Sequence, residues 1–92
     1  MAVLISYDIS NEHIIVKELL EKKDWLDYFY DEKNQKSWLP ETTLWKKNID
    51  NPNEAMNEFM SVIKSTNRAI QIERFVVTEF VNPLGVPGKP HS

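Results

Sequence analysis

The stretch Ala2-Val3-Leu4-Ile5-Ser6-Tyr7-Asp8-Ile9-Ser10 predicts an apolar first strand that ends where a helix begins. Because side chains alternate between the two faces of a strand, Val3, Ile5, Tyr7 and Ile9 share one face, and Leu4, Ser6 and Asp8 share the other. Strand ends that lead into helices are places where sheet proteins often carry binding and catalytic groups. Asp8 is therefore the first candidate site residue. Its alternative role is to cap the backbone amides that follow it.

Length and composition indicate a single small globular domain. The chain has 92 residues, of which 41% are hydrophobic and 27% charged. A net charge of -3 is opposite in sign to that of a dedicated nucleic-acid binder. The absence of cysteine excludes disulfides and thiolate metal sites, and the scarcity of glycine excludes glycine-rich phosphate loops. The short apolar N-terminal run has no basic segment before it, which predicts a cytoplasmic protein.

The first half of the chain predicts a helix, a strand and a loop. Residues 11–23 have the apolar spacing of an amphipathic helix, with Ser10 as the expected N-cap. The aromatic segment 25–30 fits either a strand or a prolonged helix, and we expect a strand. The polar residues 31–36 predict a loop.

The middle of the chain predicts a strand followed by a helix. Residues 37–45 favour extended structure, with Pro40 marking a bulge or an unpaired point. The helix has the clearest local signal in the sequence, because Asn51 suits an N-cap, Pro52 the first helical position and Glu54 a capping box.

The last part of the chain predicts one long or two short strands and a tail. The second helix should end near residues 66–67. Residues 68–80 have strand character, but thirteen residues exceed the usual length of about five or six, so we expect a bend near Glu73-Arg74. Residues 81–92 are rich in proline and glycine and predict an extended or disordered tail, or an extra C-terminal strand. The single domain then covers residues 1–80.

The predicted order of elements is strand, helix, strand, strand, helix, strand. This order favours an α+β protein with a ferredoxin-like βαββαβ sandwich, in which two helices lie on one face of a four-stranded antiparallel sheet. If the Val3 face of the first strand meets the helices, the Asp8 face stays open. An apolar sheet face that stays open would favour association.

Two stretches resemble those of a known group of proteins. They are Ile5-Ser6-Tyr7-Asp8-Ile9 in the first strand and Trp38-Leu39-Pro40-Glu41-Thr42-Thr43-Leu44-Trp45 further on. With the helix and the aromatic segment between them, the chain resembles the SinR-like small bacterial proteins over roughly residues 2–80. Those proteins are similar to the CRISPR-associated adaptation endonucleases of ferredoxin-like fold, and more distantly to the virulence-associated protein D ribonucleases.

The resemblance implies a homodimer in which open sheet faces meet, and a metal-dependent nuclease that acts on RNA or DNA. It implies that Asp8 is both the catalytic residue and a ligand of Mg²⁺ or Mn²⁺, shared across the twofold axis. Ser6 and Tyr7 carry hydroxyls that could assist Asp8, or they serve strand packing. The competing function is a non-enzymatic dimeric interaction or regulatory module, which the acidic charge favours. No membrane partner is expected.

Other groups of residues have weaker functional interpretations. His13 and His91 lack a second ligand at zinc spacing and should be exposed to solvent. Trp38 and Trp45 could form a stacking surface for single-stranded nucleic acid, or they could be core or dimer contacts. The lysines that flank them are Lys36, Lys46 and Lys47. We expect a solvated acidic edge formed by Asp24, Asp27, Asp31 and Glu32.

Overall fold

The computed structural model describes residues 1–81, which form two helices and five strands. In chain order these are β1 (Val3–Ile9), α1 (His13–Glu21), β2 (Tyr28–Tyr30), β3 (Lys36–Trp38), β4 (Thr43–Lys46), α2 (Pro52–Ser65) and β5 (Ile72–Glu79). The predicted α+β class is confirmed. Most of the expected tail, and with it the extra C-terminal strand, lies outside the described residues. Within residues 1–81 no helix is long and apolar enough to cross a membrane.

The strand β1 is the centre of an antiparallel sheet of three strands in the order β4-β1-β5. Ile5 lies opposite Leu44 of β4 on one side and opposite Val77 of β5 on the other. The strands β2 and β3 form a second, two-stranded antiparallel sheet. An isolated bridge between Leu26 and Trp45 joins the chain before β2 to β4. Residues 1–81 therefore contain sheets of three and two strands, and the predicted single sheet of four strands is not confirmed.

Backbone hydrogen bonds around residue 27 explain this division. The amides and carbonyls of Leu26 and Trp45 bond to each other in both directions, at 2.8 and 2.9 Å. The next carbonyl, that of Asp27, instead accepts a hydrogen bond from the Leu39 amide at 2.8 Å. Because the Asp27 carbonyl is bonded to Leu39, the chain after Asp27 pairs with β3 and not with β4.

The prediction of one strand over residues 37–45 is wrong, since a turn separates β3 from β4. The carbonyl of Pro40 accepts a hydrogen bond from the Thr43 amide at 3.1 Å, which closes the turn. Thr42, the third residue of this turn, has a φ of 56°, in the left-handed region that the third residue of a type II turn occupies. The chain reverses here and enters β4.

The aromatic segment 25–30 is a strand only in β2. Trp25 lies in the turn that ends α1, where its amide donates to the Leu20 carbonyl at 3.2 Å. The Asp24 amide donates to the Glu21 carbonyl at 3.1 Å, and Asp24 has a φ of 72°. These two bonds form a Schellman motif, with Asp24 in the position that glycine usually takes. The turn buries Trp25 completely.

The strand β5 is continuous, so the predicted split near Glu73-Arg74 is wrong. The pairing with β1 nevertheless shifts at this point, because Asp8 lies opposite Arg74 whereas Ile9 lies opposite Ile72. Glu73 is the extra residue of this bulge. The predicted segment of thirteen residues therefore consists of residues 68–71, which precede β5, and of β5 itself with its bulge.

The two helices differ in how well their starts were predicted. Ser10 does not cap α1, since its hydroxyl accepts a hydrogen bond from the Gln71 amide at 2.9 Å. The N-cap position belongs to Glu12, whose side chain makes no capping bond. The cap of α2 is confirmed, because the Asn51 side chain accepts a hydrogen bond from the Glu54 amide at 3.1 Å. That helix ends at Ser65, close to the predicted end.

The main core lies between the three-stranded sheet and the two helices. The Val3 face of β1 meets the helices as predicted, and it packs against their buried side chains. The helical core residues are Val16, Leu20, Ala55, Phe59 and Val62. Phe59 lies at the centre, with its ring 5.0 Å from Tyr7 and 4.7 Å from Phe75. Each such large apolar side chain contributes about 1.5–3 kcal/mol on burial.

The β2–β3 hairpin covers one end of the opposite sheet face. Trp45, which shares this face with Leu4, donates its indole Nε1 proton to the Tyr28 carbonyl. The ring of Phe80 lies 5.5 Å from Phe29 of the hairpin and 5.4 Å from Trp45. The expected open face is therefore covered at its Leu4 end and is exposed at its Asp8 end.

Candidate functional site

Asp8 lies at the carboxyl end of the central strand, on the face away from the helices, and its side chain is exposed. Among residues 1–81 its carboxylate has no hydrogen-bond or ion-pair partner. The alternative role of Asp8 as a cap of the following amides is therefore not realised. Arg74 of β5 lies directly opposite in the register, on the same face. The site thus presents a free carboxylate with a cation in the adjacent strand.

A cleft of about 520 Å³ opens beside Asp8. The start of α1 and the turn before β4 form its walls, so His13 and Glu41 also line it. The turn is held to β1 by a hydrogen bond from the Tyr7 amide to the Thr42 carbonyl at 3.0 Å. The left-handed conformation of Thr42 is costly for a β-branched residue, by about 1–3 kcal/mol. Such strain is typical of functional loops, which makes the cleft a reasonable place for chemistry.

An ion pair between Lys17 and Asp27 lines this cleft. The Lys17 ammonium lies 2.9 Å from the Asp27 carboxylate, and Asp27 is only 9% exposed. The prediction of a solvated acidic edge is therefore wrong for Asp27. Asp31 is not simply solvated either, because its carboxylate accepts hydrogen bonds from the amides of Lys33 and Gln35 in the hairpin loop. Sequence spacing gave no sign of the Lys17–Asp27 pair, which joins α1 to the segment before β2.

Within residues 1–81 no group of three or more His, Asp or Glu side chains is arranged to hold a metal ion. Mg²⁺ can be bound by one or two carboxylates together with water molecules. Asp8 therefore fits as one ligand of a hard cation, and Glu41 lines the same cleft. A twofold axis beside Asp8 would add the same carboxylate from another copy of the chain. His13 is exposed as expected, and His91 lies outside the described residues.

The two hydroxyls beside Asp8 have different surroundings. Tyr7 points to the helix side, where its ring packs against Phe59 in the core. Burial, and secondarily the negative charge of Glu21, raises the pKa of Tyr7 to about 12. Tyr7 is thus a packing residue that stays protonated at neutral pH. Ser6 lies on the Asp8 face and accepts a long hydrogen bond of 3.5 Å from the Thr43 hydroxyl.

The predicted tryptophan surface is only partly assembled. Trp45 lines a groove of about 420 Å³, whereas Trp38 lies on the hairpin with its ring 5.5 Å from Tyr28. Lys36 lies over the rings of Tyr28 and Trp38, at 4.1 and 4.5 Å from their centres. Tyr30 and Phe80 were missed as groove residues, because the hairpin that carries Tyr30 folds back toward Phe80 only in three dimensions.

Lys46 does not belong to this surface. It lies on the helix side of β4, where its ammonium is 2.8 Å from the Glu58 carboxylate. The same carboxylate oxygen accepts a hydrogen bond from the buried indole of Trp25 at 2.9 Å. This polar group joins β4, α2 and the turn after α1, and its role is structural.

No protein-family model, no curated protein and no solved structure matches this chain. The resemblance to SinR-like and CRISPR-associated adaptation proteins therefore stays a prediction. Function has to be argued from the geometry of the Asp8 end of the sheet and from the charges around it.

Proposed function

We propose that this chain is a homodimeric, metal-dependent phosphodiesterase of ferredoxin-like fold that acts on RNA or DNA. The observation that carries the proposal is the exposed carboxylate of Asp8, which has no partner among residues 1–81 and ends the central strand. A carboxylate that neither caps a helix nor forms an ion pair is free to bind a hard cation such as Mg²⁺ or Mn²⁺. Such a cation would stabilise the charge that develops on a phosphodiester during hydrolysis.

The strand order supports the ferredoxin-like part of the proposal. The main sheet has the order β4-β1-β5, and the Leu26–Trp45 bridge brings the chain before β2 to the outer side of β4. In that arrangement the segment before β2 takes the place of the fourth strand, and both helices cover one face of the sheet. The hairpin is then an elaboration of this edge.

The incomplete ligand set supports the homodimer. Asp8 and Glu41 both line the cleft of one chain, and a twofold axis near the Asp8 end of the sheet would bring a second Asp8 close to the first. Val76, which is 58% exposed, lies opposite Ser6 on the same uncovered face. Association there would bury apolar surface and would pair the two carboxylates around one cation.

A second function, a non-enzymatic dimeric interaction or regulatory module, is favoured by one specific observation. Among residues 1–81 the strand β5 is an edge of the main sheet, and a strand edge with an exposed apolar residue is suited to binding another chain. In this case the uncovered face holds a partner and no turnover occurs with any metal.

A nuclease assay with matched variants tests the proposal. Purified protein is incubated with single-stranded and duplex RNA and DNA, with Mg²⁺, Mn²⁺ or EDTA. We expect metal-dependent cleavage that Asp8→Asn lowers by at least about 100-fold, since a catalytic group usually contributes about 10²–10⁴-fold. Asp24→Asn is the control, because Asp24 is exposed and asparagine suits its left-handed backbone.

The outcomes separate the two functions. Cleavage that survives in Asp8→Asn contradicts the assigned site and indicates a contaminating enzyme or another residue. The absence of cleavage with every substrate and metal, in a protein shown to be folded by circular dichroism, contradicts the phosphodiesterase and supports the interaction module.

A further inference from the structure

The β2–β3 hairpin and the main sheet enclose an aromatic groove that the Asp8 site does not use. It measures about 420 Å³. Its lining residues are Leu26, Tyr28, Phe29, Tyr30, Trp45, Lys47 and Phe80. Lys47 is the only charged residue among them, although the chain as a whole is acidic. The groove therefore combines flat aromatic surfaces with a single positive charge.

We infer that this groove binds single-stranded nucleic acid by stacking a base against its aromatic side chains. Tyr30 is 58% exposed, so its ring is available to an incoming base. Every base has a flat π-face, and aromatic grooves with flanking cations bind single strands with little sequence preference. Lys47 supplies a positive charge that can bind a backbone phosphate. A protein or lipid anchor in this groove would not require that charge.

The surroundings of the groove favour the same occupant. The Lys36 ammonium lies over the rings of Tyr28 and Trp38, so the hairpin carries a second positive charge near the aromatic surface. Trp45 is fixed by its hydrogen bond to the Tyr28 carbonyl, which presents a rigid wall. A rigid wall loses little entropy when a base stacks on it.

The position of the groove links it to Asp8. Trp45 lies opposite Leu4, on the same sheet face as Asp8. Asp8 is four positions after Leu4 in β1, a distance of about 13 Å at roughly 3.3 Å per residue. A single strand that places one base in the groove could therefore run along this face and bring a phosphodiester to Asp8. In this respect the inference deepens the proposed function and rests on it for the identity of the substrate.

Binding without catalysis tests the inference separately from the proposed function. Fluorescently labelled single-stranded oligonucleotides of deoxythymidine and of uridine are titrated with protein in EDTA, and binding is followed by anisotropy. We expect Tyr30→Ala to weaken binding by about 5- to 150-fold, because a stacked base contributes about 1–3 kcal/mol. We expect Lys47→Glu to weaken binding and to reduce the salt dependence by about one phosphate contact.

Controls keep the test decisive if one variant misfolds. Lys22→Glu makes the same charge change on an exposed residue at the end of α1 and should bind like the wild type. Lys47 is also exposed, so its variant should fold even if Tyr30→Ala does not. A lack of binding by the wild type, an equal loss in Lys22→Glu, or tighter binding of duplex than of single strands would overturn the inference. If binding holds while the nuclease assay fails, the groove stands and the phosphodiesterase falls.

Discussion

At the scale of single residues, Ser37 is the clearest local defect in the described fold. Its side chain is only 1% exposed, and within residues 1–81 its hydroxyl has no hydrogen-bond partner. Ser37 lies opposite Phe29 in the hairpin. A buried hydroxyl without a partner costs free energy, because it loses its hydrogen bonds to water and gains none in the protein.

Ser37→Ala should therefore raise the free energy of unfolding by about 1 kcal/mol. Urea denaturation of the wild type and the variant measures this difference. Ser6→Ala is the control in another strand, where the hydroxyl has a weak partner in Thr43, and it should give no increase. A lower stability of Ser37→Ala would mean that the hydroxyl does have a partner in solution.

Tyr7 predicts a dependence of stability on alkaline pH. Burial, with a smaller effect of Glu21, raises the pKa of Tyr7 from 10.0 to about 12. The folded protein therefore binds this proton more tightly than the unfolded chain does. The contribution is fully present below pH 10 and is lost as the pH rises from 10 to 12. A shift of this size corresponds to on the order of 2–3 kcal/mol.

Denaturation between pH 9 and pH 12 of the wild type and Tyr7→Phe checks this expectation. Every other ionisable group is common to the two proteins, so the difference between the two curves isolates Tyr7. We expect the wild type to lose more stability than the variant above pH 10. Parallel curves would show that Tyr7 ionises as readily in the folded protein as in the unfolded chain.

At the scale of elements, the exposed part of β5 offers a test of the proposed dimer. Val76 is 58% exposed on the uncovered sheet face, so a lysine there should be tolerated by the folded monomer. In a dimer through this face it would bury an unpaired charge near the twofold axis, which is costly.

Light scattering should give the wild type a mass of twice the 10.8 kDa of one chain, and Val76→Lys should give the mass of one chain. Met60→Lys is the control, since Met60 is a partly exposed apolar residue of α2, away from the sheet face. A monomeric wild type, or a dimer that survives Val76→Lys, would contradict the proposed interface.

At the scale of the whole molecule, local signals predicted the parts of the fold that depend on neighbouring residues. The alternation of β1 and the cap at Asn51 are such signals, and both correspond to what the structure shows. The separation of the hairpin from the main sheet was not predicted, because it depends on a bond between Asp27 and Leu39 and on the contact of Phe29 with Phe80. Such contacts join residues far apart in sequence, and no short pattern encodes them.

The candidate site was predictable to a similar extent. The position of Asp8 at a strand end followed from alternation alone, whereas its lack of a partner depends on where every neighbouring donor lies. The aromatic groove was foreseen only at Trp45. The lysines of the expected surface are divided, because Lys46, at the end of β4, lies on the helix side, whereas Lys47, the next residue, lines the groove.

The hydrogen bond between Leu39 and Asp27 also makes residues 28–38 an insertion at a single point of the main fold. Its two ends lie 2.8 Å apart between the Leu39 amide nitrogen and the Asp27 carbonyl oxygen, so the chain leaves and rejoins the main fold at one place. Residues 28–38 also contact the main sheet through Phe29 and through the Tyr28 carbonyl, which accepts a hydrogen bond from Trp45. A substitution at an exposed hairpin residue such as Tyr30 would therefore alter the proposed groove and leave Asp8, in the central strand, in place.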